Sequence, residues 1–164
     1  MASEPGHGRA PAPWLARSTS PLHFALALGV AALLQSALGL PLPQGRWLDV
    51  MHGVGTVLAN AGLLLALACF MLFLHRRTTI LPADLPSRLI VNGPYRFSRN
   101  PLYLSLVLSY AGLACILDLP WALLLLPLPL LILQRVLIPF EESRLHAQFG
   151  ADYARYCATV GRWW

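Results

Sequence analysis

Charge is what this 164-residue sequence has least of: only 12% of it is Asp, Glu, Lys or Arg, about half the ~25% of an ordinary soluble domain. Lysine is missing altogether, since all twelve basic residues are arginine. Seven acids oppose them, for a formal net charge of +5, and 57% of the residues are hydrophobic. Such a balance excludes an ordinary cytosolic fold, and the length leaves no room for a membrane part plus a full nucleotide-binding domain. Soluble kinase, dehydrogenase and methyltransferase folds are thereby set aside. Any chemistry must come from membrane helices and the loops that join them. Cysteine is scarce as well: Cys69 and Cys115 lie in apolar runs and Cys157 near the end of the sequence. No disulfide framework or zinc spacing arises from them, and neither a metal nor a nucleic-acid partner is expected. Repeats of fixed period and strand-like alternation are missing too.

What is present is a series of long uncharged runs. Residues 21–40 carry no formal charge, and at about 1.5 Å per residue they match a hydrocarbon core of roughly 30 Å. Residues 53–74 form a second such run, closed by His75, Arg76 and Arg77. Residues 102–133 contain one acid, Asp118, and would make a helix of about 48 Å, too long for one span. Asp118-Leu119-Pro120 divides this stretch into a helical hairpin, because proline suits the first turn of the next helix. Spans are therefore expected at 102–119 and about 121–138, with Pro127 and Pro129 bending the latter. Beyond it, Leu145, Phe149, Tyr153 and Tyr156 recur at helical spacing, which predicts an amphipathic helix over about 142–158. That helix lies on the headgroups or folds over the neighbouring polar loop as a lid.

The expected fold is an all-α integral membrane protein of about four transmembrane helices, the third and fourth a hairpin, plus a C-terminal amphipathic helix. It forms a single domain, residues 21–164, behind a Pro/Ser/Gly-rich tail, residues 1–20, read as disordered. Ten of the twelve arginines fall on one side of this topology, Arg46 alone on the other, and Arg135 within the fourth span. Positive charge near span ends is retained in the cytoplasm, so both termini are expected there.

The few polar residues gather in two segments on that arginine-rich side. One runs through Asn92, Gly93, Pro94, Tyr95, Arg96, Ser98, Arg99, Asn100, Pro101 and Tyr103 into the third span. Gly93-Pro94 is a turn signal, and Asn100-Pro101 reads as an N-cap with proline at the first helical position. The other begins at Arg135 and continues through Glu141, Glu142 and Arg144 to Tyr153 and Tyr156. A turn, a cap and some arginines at headgroups would explain each residue singly. They do not explain two adjacent carboxylates at the end of a membrane helix, where carboxylates are costly unless paired or functional. Arg135 either snorkels to the interface or binds an anion within the bundle. His52 and His75 read as interfacial residues, and Asp118 as a solvated turn residue.

These segments resemble the isoprenylcysteine carboxyl methyltransferase and phospholipid methyltransferase superfamily of small integral-membrane enzymes. The resemblance rests on Gly93-Pro94-Tyr95-Arg96-x-x-Arg99-Asn100-Pro101-x-Tyr103, the Glu141-Glu142 pair, and Phe149-Gly150-x-x-Tyr153-x-x-Tyr156. Thr78-Thr79-Ile80-x-Pro82 and Arg162-Trp163-Trp164 also look like bacterial members, which places the chain in a bacterial inner membrane. The resemblance implies S-adenosyl-L-methionine as cofactor and S-adenosyl-L-homocysteine as product. Its cofactor segment falls on Ser87, Arg88, Leu89, Ile90, Tyr95, Arg99, Asn100, Pro101, Leu102 and Tyr103, and its acidic contact on Glu141. Asn100 stands where many members have histidine. The prenylcysteine enzymes carry an arginine where this chain has Leu137, and Arg135 is the nearest one here.

The implied activity is methyl transfer to a lipophilic acceptor, a membrane lipid or lipidated small molecule. A carboxylate acceptor needs no base and could be oriented by Arg135. An amine acceptor must lose a proton, for which Glu142 or a tyrosine is the candidate. Two other readings stay open: a membrane reductase of sterol-reductase-like architecture using a nicotinamide dinucleotide, and a non-enzymatic helical membrane protein.

Overall fold

The computed structural model describes residues 20–76 and 89–164, and these residues are helical throughout, joined by short loops. Ser87 and Arg88 lie outside the described residues, as do the Thr78 to Pro82 motif and residues 1–19 of the tail expected to be disordered, whose last residue, Ser20, is helical. Six α-helices succeed one another among the described residues: α1 Ser20–Leu38, α2 Arg46–Arg76, α3 Pro101–Ile116, α4 Pro120–Leu125, α5 Pro127–Ile132 and α6 Ile138–Thr159. A 3₁₀ turn, Gly93–Arg96, precedes α3, and a π-helical turn, Leu133–Leu137, joins α5 to α6. Three stretches, Ser20–Leu38, Arg46–His75 and Pro120–Thr159, are long and apolar enough to cross a membrane; Pro101–Ile116 is a shorter apolar helix. Leu33, Val57, Leu64 and Leu124 stand exposed on them. So much outward-facing apolar surface suits lipid and would be a liability in water.

The hairpin forms where the sequence places it. α3 ends at Ile116, the Leu119 N–H reaches back to the Ala114 carbonyl (2.9 Å), and Asp118 between them takes a positive φ of 56°. This is the six-to-one closure of a helix C-terminus, with Asp118 in the left-handed position that Asp tolerates better than most residues. Pro120 then opens α4. His52 Nε2 lies 2.9 Å from Asp118 Oδ1, so Asp118 is paired and not merely solvated, contrary to the expectation from the sequence. The pair ties the turn to α2.

Helix α3 packs on α2 through small residues. A Cβ added to Gly112 would sit 2.4 Å from the Ala59 nitrogen and 2.6 Å from the Gly55 oxygen, and one added to Gly62 2.4 Å from Ser109 Oγ. Gly55, Ala59 and Gly62 recur at spacings of four and three, as do Ser105, Ser109 and Gly112. Small residues at this spacing let two backbones approach closely, the packing that replaces hydrophobic burial within lipid. On its other side α3 meets α1, where Phe24 and Tyr110 stack edge to face at 5.5 Å, and Ala114 and Ala122 are buried beside them.

The fourth span and the helix after it are not separate elements, as the spacing of apolar residues suggested. Helical structure runs from Pro127 through the π-turn into α6. Pro139 has no N–H to donate, and its ring would press on the carbonyl four residues earlier in a regular helix; the wider π-turn lies immediately before it. The interruption comes later, at Gly150, whose φ of 49° and ψ of −118° are non-helical. Only glycine adopts such a conformation without strain. Downstream of it, Tyr153 and Tyr156 turn inward and are buried.

Candidate active site

At one end of α3 and α6, three interlocked contacts gather the residues that the sequence singles out. The first joins the helices directly. The Tyr103 hydroxyl, in the first turn of α3, donates to Glu141 Oε1 at 2.5 Å. Glu141 is half-buried, and an ionised carboxylate has about four lone-pair sites. Tyr103 therefore uses only part of its accepting capacity.

The second contact centres on Glu142. Arg162 donates from Nε to Oε1 (3.1 Å) and from Nη2 to Oε2 (2.6 Å), a bidentate fork. Arg99 approaches the same carboxylate from the other side, Nη2 to Oε1 at 3.4 Å, and its Nη1 donates to the Cys157 sulfur. Arg99 Nε is buried and has no hydrogen-bond partner among the described residues, a rare condition for a charged donor and one a ligand's acceptor would relieve. The hydrogen bond from Arg162 to Glu142 holds the guanidinium proton more tightly than usual.

The third contact places an aromatic wall. Gly93-Pro94 forms the 3₁₀ turn, Tyr95 stacks edge-on against Phe73 of α2 at 5.9 Å, and the Tyr156 hydroxyl donates to the Tyr95 carbonyl at 2.6 Å. The part of α6 beyond Gly150 is thus docked over the polar loop. Burial pushes the Tyr95 phenol well above its ordinary range, and the nearby charge of Glu141 adds to this.

Asn100 caps α3 by position, and its carbonyl accepts from the Leu104 N–H at 3.0 Å. Its side chain makes no cap hydrogen bond, donating instead to the Arg162 carbonyl at 3.0 Å. Asn100, Pro101 and Tyr103 are buried; Leu89, Ile90, Tyr95, Arg99 and Leu102 are half-buried at the same end. Arg135 is not brought to this cluster. It is exposed in the π-turn, and no hydrogen bond or ion pair joins it to the site among the described residues. The part played by Arg162 was not legible, because its partner lies 20 residues away and no local spacing announces the pair. Cys157 is likewise recruited only by folding.

A carboxylate–tyrosine pair, an arginine cluster and an aromatic wall thus form one polar site at the end of helices long and apolar enough to cross a membrane. The phospholipid methyltransferase family profile matches residues 50–152, well over half of the chain, and the protein belongs to that family. No curated protein and no solved structure matches it.

Proposed function

We infer that the chain transfers a methyl group from S-adenosyl-L-methionine to a lipophilic acceptor at the cytoplasmic face of the membrane. The observation that carries this reading is the convergence of Glu141, Tyr103, Tyr95 and the partly unsatisfied Arg99 at one end of membrane-length helices, in a chain of a methyltransferase family. The donor set fits the cofactor. Glu141 has accepting capacity for its ammonium, Arg99 an unused buried N–H for its carboxylate, and the tyrosine rings offer faces for its sulfonium. When bound, the cofactor supplies an electrophilic methyl carbon.

The protein's contribution is then positioning and exclusion of water. Tyr103 holds one oxygen of Glu141 and leaves the remainder for the donor. The Tyr156 to Tyr95 bond keeps the segment beyond Gly150 over the loop. With both oxygens held by Arg162 and one also by Arg99, Glu142 acts as a clamp that fixes Arg99 and not as a base. A carboxylate acceptor requires no proton transfer; for an amine, the Tyr103–Glu141 pair is the group placed to take the proton. Arg135, exposed at the level of the π-turn, offers a contact for the anionic part of a lipid-borne acceptor.

The direct test is calorimetric binding of S-adenosylhomocysteine to the purified chain in detergent, with a nicotinamide dinucleotide as comparison. Binding of the former alone in the micromolar-to-millimolar range, and transfer of labelled methyl from the cofactor into a lipid extract, is expected. No binding, or equal binding by the Glu141→Gln variant, would sink the assignment.

A further inference from the structure

Residues 160–164 lie past the segment matched by the family profile, residues 50–152, yet Gly161 and Arg162 are bonded to the site at several points. The Arg99 N–H donates to the Gly161 carbonyl at 3.0 Å. The Arg162 carbonyl accepts from Asn100 Nδ2 (3.0 Å) and Ser98 Oγ (3.3 Å). Its side chain forks onto Glu142, and Trp163 packs against the apolar core. Gly161 is required for this path: a Cβ there would sit 1.8 Å from the Trp164 carbonyl oxygen.

The result is a closed ring. Main chain links residues 98–100 to Gly161 and Arg162, the Arg162 side chain links them to Glu142, and Glu142 returns to Arg99. Isolated surface ion pairs contribute little, but bidentate geometry within a network is where they do matter. Arg162 is 38% exposed while Glu142 and Arg99 are 20% and 16%, so the ring is solvated on its outer side only. Without the Arg162 side chain, Glu142 would keep Arg99 as its one ligand and lose the fork that holds the carboxylate in place against Arg99.

We propose that Arg162 is a positioning residue for the methyl-donor site: acting through Glu142, it holds Arg99 with its unsatisfied N–H presented to the donor's carboxylate. The inference rests on the donor assignment above and adds to it a segment that no comparison covers. It predicts that docking of residues 161–163 and donor binding strengthen each other, as linkage requires of two events sharing one set of side chains.

Cys157 reports on the ring independently of any ligand, because its sulfur is covered by Arg99, whereas Cys69 and Cys115 are buried among the helices. The experiment measures N-ethylmaleimide labelling of Cys157 by peptide mass spectrometry, and S-adenosylhomocysteine affinity, on the full chain in detergent. It compares wild type, Arg162→Gln, Arg162→Lys and, as a control on the same face of the sequence, Arg155→Gln. Arg162→Gln should label faster and bind at least about tenfold more weakly, the scale of one charge-assisted hydrogen bond. Arg162→Lys should fall between, keeping the charge but losing the fork, and remains informative should the glutamine variant fail to fold. Arg155→Gln should match wild type in both. Wild-type labelling in both Arg162 variants overturns the ring; faster labelling with unchanged affinity overturns its positioning role. A wild-type chain that binds no S-adenosylhomocysteine overturns the donor assignment itself, and Arg162's role in it, whatever the labelling rates show.

Discussion

The two ends of the helix bundle are held by different means. At one, side chains of α3, α6, Arg99 and Arg162, with the carbonyls of Tyr95 and Gly161, share a network in which the carboxylates of Glu141 and Glu142 each meet a partner from a distant segment. At the other, one half-exposed pair, His52 and Asp118, ties a turn to α2. Between them α2 and α3 meet with almost no polar bonding, backbone against backbone. Assembly of the helices is thus carried by the small-residue contact, which leaves the network at the first end available for binding.

Breaking the middle should have the largest effect. Gly112→Leu drives a side chain into the Ala59 and Gly55 backbone, atoms that cannot move aside as a rotamer can. The expected loss is about 3 kcal/mol or more, read as a collapse of the detergent-solubilised thermal midpoint. A wild-type midpoint would contradict the close approach of α2 and α3.

Glu141→Gln addresses the first end. It should leave the midpoint within a few degrees while weakening S-adenosylhomocysteine binding about 10- to 100-fold, the range of a lost charge-assisted contact. If midpoint and affinity fell together, the separation of cohesion from binding would be wrong. Gly150→Ala lies between these cases: φ of 49° with ψ of −118° is strained for any residue with a Cβ, at about 1–3 kcal/mol. Protease cleavage beyond residue 150 should become faster, because Tyr156 is held on Tyr95 only through that bend.

The smallest effect belongs to the far end. His52→Ala should cost roughly 0.5 kcal/mol, since both partners are about two-fifths exposed and such pairs contribute little. Donor binding should be unchanged. A large loss of affinity in this variant would show that the two ends communicate through α2.

The features visible before folding were those with local causes. Apolar runs predict the helices, Asp118-Leu119-Pro120 the hairpin, Gly93-Pro94 the turn and Asn100-Pro101 the start of α3. The crowding of Tyr103 and Glu141 at one end was legible from the family resemblance and the scarcity of charge. What escaped is long-range choice: Glu142 could have taken any of several arginines, and only the tertiary path selects Arg162 and Arg99. The Asn100 side chain, free by its type to cap its own helix, is claimed by a carbonyl 62 residues later. The small-residue spacing on α2 and α3 was readable in principle, but beside stronger hydropathy it draws no notice.

The π-turn Leu133–Leu137 has a bearing on which length changes the protein can accept. The Ile138 N–H bonds to the Leu133 carbonyl, so the turn takes in one residue more than an α-turn. Each residue of a regular helix rotates the chain beyond it by about 100°. Removing that extra residue would leave a regular α-turn and keep Glu141 and Glu142 in phase, whereas deleting a leucine from the regular helix before the turn would preserve hydropathy yet swing both about a quarter of a revolution away from Tyr103 and Arg99. Hydropathy tolerates that second deletion and helical phase does not: between Pro127 and the π-turn the number of residues matters more than which apolar residues they are.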